Sequence, residues 1–120
     1  MIDLGIVLLL VWLHFIADFV FQSDYMAQNK SKSNQVLLLH VLVYSLPFYI
    51  IGWEFALLNG AMHFVVDYIT SRITSRLWAK KEVHWFFVVV GLDQAIHMTC
   101  LFVSYLCLVE PATPFRLISV

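Results

Sequence analysis

The chain alternates long apolar runs with short polar ones. Four apolar segments can be read: Leu4 to about Gln22, Val36 to Trp53, Glu54 to about Ile73, and His84 to Val109. A helix rises 1.5 Å per residue, so roughly 20 apolar residues cover the hydrocarbon core of a bilayer. Each segment has about that length, and none shows the ~10-residue alternating stretches of barrel strands. The pattern predicts an all-α fold: a four-helix transmembrane bundle, with residues 1–120 forming one integral membrane domain. Polar stretches separate the segments. Ser23 to Gln35 holds Lys30 and Lys32, and residues 74–83 read as an amphipathic basic stretch with Arg76, Lys80 and Lys81. Gly52 marks a tight turn between the second and third segments. Pro47 predicts a kink in the second. The tail from Glu110 to Val120 has two prolines and is expected to lie along the surface.

Composition strengthens the membrane reading. The chain is 62% hydrophobic and 12% charged, whereas a soluble domain is about 25% charged. A soluble domain of this length could not hide so much apolar surface. A net charge of −1 gives no electrostatic case for nucleic acid. Cys100 and Cys107 lie in one apolar run, too far apart along a helix to bridge. The first segment does not read as a cleavable signal peptide: it lacks a basic start, contains Asp18 and has no small-residue cleavage site. Six of the seven Lys and Arg residues lie in the loops after segments one and three or, for Arg72, at the last residues of segment three. By the positive-inside rule these loops face the cytoplasm, and both termini lie on the non-cytoplasmic side.

What is polar inside the segments then carries the function. Segment one holds His14 and Asp18, segment two His40, segment three His63 and Asp67, and segment four Asp93 and His97. Each pair is spaced i, i+4, on one helix face. Segments one and three read His then Asp, while segment four, running the other way, reads Asp then His. Threading the chain therefore puts His14, His63 and His97 in one layer near the midplane. Asp18, Asp67 and Asp93 form a second layer about 6 Å nearer the cytoplasm, with His40 at or below it. Three unpaired aspartates at helix centres would cost on the order of 8–10 kcal/mol. No Lys or Arg lies within these helix centres to neutralise them.

A divalent metal would. Imidazole and carboxylate suit zinc first, then iron or manganese, and seven ligands suffice for one or two ions. A hydrogen-bonded packing network and a proton or ion relay remain open on the same residues. An aspartate that does not ligate metal could act as general base, so Asp18, Asp67 and Asp93 are the catalytic candidates. Tyr44, one turn beyond His40, either packs or hydrogen-bonds a ligand. Arg72, Arg76 and Lys80 form an i, i+4, i+8 stripe suited to anionic lipid or to a substrate phosphate. His84, beside Trp85, reads as interfacial, and Cys100 as a small buried side chain.

These motifs carry a resemblance. HFIADFVFQ at His14 to Gln22, then Lys30, LLLH ending at His40, HFVVDY at His63 to Tyr68, and GLDQAIH at Gly91 to His97 resemble a family of uncharacterised small membrane proteins of bacteria and phages, known as a domain of unknown function. More loosely, the His-x-x-x-Asp pairs are similar to those of membrane-bound metal-dependent hydrolases. The resemblance implies His14, Asp18, His40, His63, Asp67, Asp93 and His97 as ligands, with Gln22, Lys30 and Gln94 as accessory polar positions. It implies a hydrolase acting on a lipid or phosphoester from the cytoplasmic side of a bacterial inner membrane, or of a host's if phage-encoded. Two other functions stand beside it. One is a transporter or channel for protons or divalent cations, which the apolar outer half of every segment disfavours. The other is a non-catalytic scaffold, or a phage protein acting on the membrane, with a structural metal site. Oligomerisation is left open, since no small-x-x-x-small face is evident.

Overall fold

A computed structural model describes residues 2–112; the expected surface tail beyond Ala112 lies outside the described residues. Among them the chain is all-α. Helix α1, Leu4–Phe15, starts where the Asp3 carboxylate accepts the Gly5 N–H at 2.7 Å. It continues as a π-helical turn, Ile16–Val20, closed by a Phe21 N–H to Ile16 C=O bond of 2.9 Å. A short helix comes next, inside the expected polar loop: α2, Asp24–Asn29, capped by Ser23. Ser33 in turn caps α3, Asn34–Ser45. The chain then tightens into a 3₁₀ stretch, Leu46–Ile50. Pro47 sits at its start, where its missing N–H is tolerated but a continuing α-helix would lose a bond.

Helix α4, Trp53–Ala79, is 27 residues long. The basic stretch expected as a separate element at 74–83 is largely its last turns. It ends in a Schellman turn, with the Glu82 N–H bonded to the Leu77 C=O at 2.9 Å and the Lys81 N–H to the Trp78 C=O at 3.0 Å. Lys81 takes the left-handed position of this turn, at φ 60°, where glycine is usual. Helix α5, Val83–Ser104, runs back and finishes in a second π-helical turn, Tyr105–Val109. Among the described residues five α-helices thus stand where four were expected, α2 being the addition. Among the described residues one run, Val83–Val109, is long and apolar enough to cross a membrane. Leu4–Val20 and Asn34–Ile50 are apolar but shorter.

Packing divides the bundle lengthwise. Toward the Gly52 end the interior is apolar, with Leu10, Phe48, Phe55 and Leu101 fully buried in one cluster. Toward the α2 end it is polar: His14, Asp18, His40, His63, Asp67, Asp93 and His97 are all buried. The exterior reverses this. Large apolar side chains such as Leu4, Trp12, Leu42, Ile50, Val65 and Phe87 stand exposed along the helices. Helices α3 and α4 approach closely because Gly60 lies against Ser45, whose hydroxyl donates to its own helix at the Val41 C=O. A Cβ at Gly60 would collide with that hydroxyl.

Two substitutions probe this packing. Gly60→Val should destabilise the protein by about 1–3 kcal/mol, the usual cost of overpacking. Lys81→Gly should stabilise it by about 1 kcal/mol, by relieving a left-handed non-glycine residue. Thermal unfolding in detergent reads both, and a Gly60→Val midpoint equal to wild type would contradict the packing described.

Candidate metal centre

Each helix brings one part of the polar interior. The i, i+4 spacing places His63 above Asp67 on α4 and Asp93 below His97 on α5, and the pairs touch at 3.3 Å in both cases. On α1 the same spacing fails. The π-helical turn intervenes between His14 and Asp18, leaving them 3.8 Å apart. A widened turn rotates the residues beyond it about the helix axis. Asp18 is thereby turned toward α3 and α4, with Oδ1 3.2 Å from His40 Nε2 and 3.5 Å from His63 Nε2.

Four donor atoms converge: Asp18 Oδ1, His40 Nε2, His63 Nε2 and Asp67 Oδ2. The imidazole nitrogens are 3.1 Å apart, and Asp67 Oδ2 is 3.3 Å from each. Five of the six distances within this group run from 3.1 to 3.5 Å, and all lie within 4.8 Å. Donors at the corners of a tetrahedron with edges of about 3.3 Å lie about 2.0 Å from its centre, which is the zinc–nitrogen and zinc–oxygen distance. The group can therefore hold a metal ion. The rings are fixed by stacking: His63 lies 3.8 Å from the Tyr44 ring and 4.0 Å from that of His97. The Nδ1 atoms of His40 and His63 are buried with no hydrogen-bond partner.

A second group comprises Asp18, Asp93 and His97. His97 Nε2 is also 3.1 Å from Asp67 Oδ1, so Asp67 turns one oxygen to each group. Around this core runs a chain of hydrogen bonds. Tyr44 donates to His14 Nδ1 at 3.2 Å, and His14 Nε2 donates to Gln94 Oε1 at 2.7 Å. The Gln94 amide nitrogen then donates to Asp18 Oδ2 at 3.2 Å and Asp93 Oδ2 at 3.0 Å. His14, expected as a ligand, joins neither group. Both its nitrogens are committed to Tyr44 and Gln94, and it acts by holding the Gln94 amide.

Sequence reasoning looks to metal alone for the neutralising charge, but the protein supplies one of its own. Lys30 closes α2, which folds back over the bundle end, and its Nζ lies 2.7 Å from Asp67 Oδ2. Thr70, also unanticipated, donates to Asp93 Oδ1 at 2.5 Å. It sits three residues after Asp67 on the His63–Asp67 stripe, a spacing that could have flagged it. Asn59 and Ser104 bond each other at 2.8 Å in the apolar half, where the sequence shows no polar pair.

A cavity of about 530 Å³ opens at the α2 end. Asp18, Asp67 and Asp93 line it, as do Gln22, Gln94, Thr70 and Ser71, while the histidines lie behind the aspartates. One wall is apolar, from Phe19, Phe86, Phe87 and Val90. Gln22 Oε1 and Ser71 Oγ are buried without partners. Lys30 is the cationic residue lining the cavity among the described residues. Arg72, Arg76 and Lys80 stand outside it. Arg72 instead ties α4 to the start of α3, donating to Asn34 Oδ1 at 2.6 Å, with its guanidinium over the Tyr68 ring.

A family model described as "Protein of unknown function (DUF3307)" matches residues 6–118, which agrees with the expectation of an uncharacterised family of unknown function. Neither the curated proteins nor the solved structures contain a match to the chain.

Removing one partner of a buried ion pair leaves the other charge uncompensated, at a cost of about 3–5 kcal/mol. Lys30 is 17% exposed, so Lys30→Met should cost the metal-free protein nearer the lower figure, about 3 kcal/mol. Lys30→Arg should restore most of it. Unfolding in a chelating buffer tests this, and a Lys30→Met protein as stable as wild type would remove Lys30 from the account.

Proposed function

Because the chain belongs to the DUF3307 family, whose description names no activity, its function has to be inferred from the site, and we propose that the protein is a membrane-embedded, metal-dependent hydrolase acting on a lipid or phosphoester. The observation that carries this reading is the four-donor group of Asp18, His40, His63 and Asp67, with five of its six edges at 3.1 to 3.5 Å, its aspartates lining the floor of a cavity. Two imidazoles and two carboxylates suit zinc before other metals. A metal held there supplies Lewis-acid polarisation of an ester and a water of lowered pKa.

The chain's own residues supply the rest. Asp93 lies outside the four-donor group; its Oδ2 atom, steadied by the Gln94 amide at 3.0 Å, accepts the proton, and its Oδ1 takes no part in the transfer. On a phosphoester, the water oxygen bonds to phosphorus and the phosphorus–oxygen bond to the alcohol breaks. The water proton passes through Asp93 to the leaving alkoxide. Tyr44 and His14 act at one remove, by fixing the Gln94 amide.

Membrane embedding is supported by the reversed bundle: apolar side chains outside, ionisable groups inside. Intramembrane ionisable residues face a bundle interior or a wet cavity, as these do. Lys30 and Lys32, which follow α2, and Arg76, Lys80 and Lys81 near the α4–α5 turn support a cytoplasmic cavity mouth. The apolar wall of Phe19, Phe86 and Phe87 suits a substrate with a lipid chain. Transport is the weaker reading. Leu10, Phe48, Phe55 and Leu101 close the other half of the interior, and Asn59 and Ser104 there satisfy each other.

The test is elemental analysis of detergent-purified protein beside hydrolysis assays on a phospholipid and on a soluble phosphoester. Wild type should carry about one or more equivalents of metal per chain, and a His63→Ala, Asp67→Ala variant should carry none. Chelation should abolish turnover and zinc should restore it. Full turnover by metal-free protein would end the hypothesis.

A further inference from the structure

The four-donor group accounts for one ion, yet the interior is built as a pair of sites. The geometry points to a second metal position beside the first, held by Asp93 Oδ1, His97 Nε2 and Asp67 Oδ1, with Asp18 shared between the two. The inference rests on the metal-centre reading above and extends it to a binuclear centre that takes an anionic phosphoester.

Three features lead there. The first is the division of oxygens. Asp67 presents Oδ2 to His40 and His63 at 3.3 Å, and Oδ1 to His97 at 3.1 Å. Asp18 likewise turns Oδ1 to the first group, and its Oδ2 lies toward Asp93, on the shared Gln94 amide. A carboxylate facing two ways is the usual bridge between two ions.

The second is edge length. His97 Nε2 stands 3.1 Å from Asp67 Oδ1 and 3.3 Å from Asp93 Oδ1. These repeat the spacing of the first group, about that of donors 2.0–2.2 Å from one ion. Asp18, Asp93 and His97 present donor atoms that all fall within 4.8 Å of one another.

The third is the stack. The His63 and His97 rings are 18° from parallel and 4.0 Å apart, and each offers Nε2. Two parallel imidazoles at this separation aim at two points side by side, at about the 3.5–4 Å separation of ions in two-metal phosphoesterases.

Charge names the substrate class. Lys30, paired with Asp67, and two divalent ions, when bound, outweigh the three carboxylates, so the loaded floor is cationic. The aspartates line the cavity while the imidazoles lie behind, which leaves the second position open on the cavity side. A phosphate group entering there meets positive charge. Ser71 is 92% buried, from its relative exposure of 8%. Its hydroxyl has no partner in the structure and lines the same cavity, free to donate to that group.

The test uses the full chain in detergent, loaded with manganese(II) as probe, with metal content and electron paramagnetic resonance as readouts. Wild type should hold two ions per chain and give the spectrum of a spin-coupled pair. Asp93→Asn should hold one and give an isolated six-line spectrum, with helical circular dichroism unchanged. His97→Gln serves the same purpose should Asp93→Asn fail to fold. Wild type saturating at one ion, or two coupled ions persisting in Asp93→Asn or His97→Gln, would overturn the second position while leaving the first intact. No bound metal in wild type would overturn both.

Discussion

A carboxylate removed from water has to be met by positive charge or hydrogen bonds, and Asp67 is met on every side. Lys30 reaches it from α2, His40 from α3, His63 from its own helix and His97 from α5. It is 2% exposed. Left alone, such a charge would cost several kcal/mol even after relaxation, a large part of a small protein's stability. The bundle is arranged to prevent this. The approach of α3 to α4 at Gly60 brings His40 to His63, and the short α2 ends on the lysine that reaches Asp67. The apolar half of the interior then seals one end, so that the polar half communicates with a cavity at the other.

Much of this could be read from spacing, because the physics behind it is local. An i, i+4 pair on a helix shares a face whatever the tertiary structure, so His63–Asp67 and Asp93–His97 touch as expected. The reversal of order with helix direction correctly layered the aspartates toward one end, where they line the cavity. Reading failed where a non-local or sub-turn detail decides. The π-helical turn at Ile16–Val20 leaves no pattern in hydrophobicity, yet it takes His14 off the centre and puts Asp18 on it. Lys30 lies in a polar stretch that looked like a loop. Only the capping Ser23, ahead of an acidic first turn, hinted at a helix that would carry it back. Arg72 looked available for a phosphate because its partner, Asn34, is 38 residues away along the chain.

The π-helical turn also explains why three similar His–Asp pairs make an asymmetric site. With α1 regular, His14 and Asp18 would pair as on α4 and α5, and each helix would contribute alike. Instead His14 is released to the Tyr44–Gln94 chain, and Gln94 uses both amide hydrogens on two aspartates of different helices. One neutral amide thus holds two carboxyl groups of different helices near each other, an arrangement suited to a cation.

The same residues therefore serve folding and site. In most small domains apolar burial stabilises the fold and the site is added at its surface. Here the polar half of the interior has some apolar packing, from Met26, Leu37 and Val41, but His–Asp contacts, ring stacks and one lysine hold its centre together. A cation entering such a centre would contribute its binding free energy to folding, as structural metals do. Truncating a ligand then removes a binding group and a structural contact together, so loss of function in an alanine variant says little by itself. Isosteric changes such as Asp to Asn keep the shape and alter the charge, and the closeness of the packing around Asp67 makes charge, rather than volume, the variable that separates the two roles.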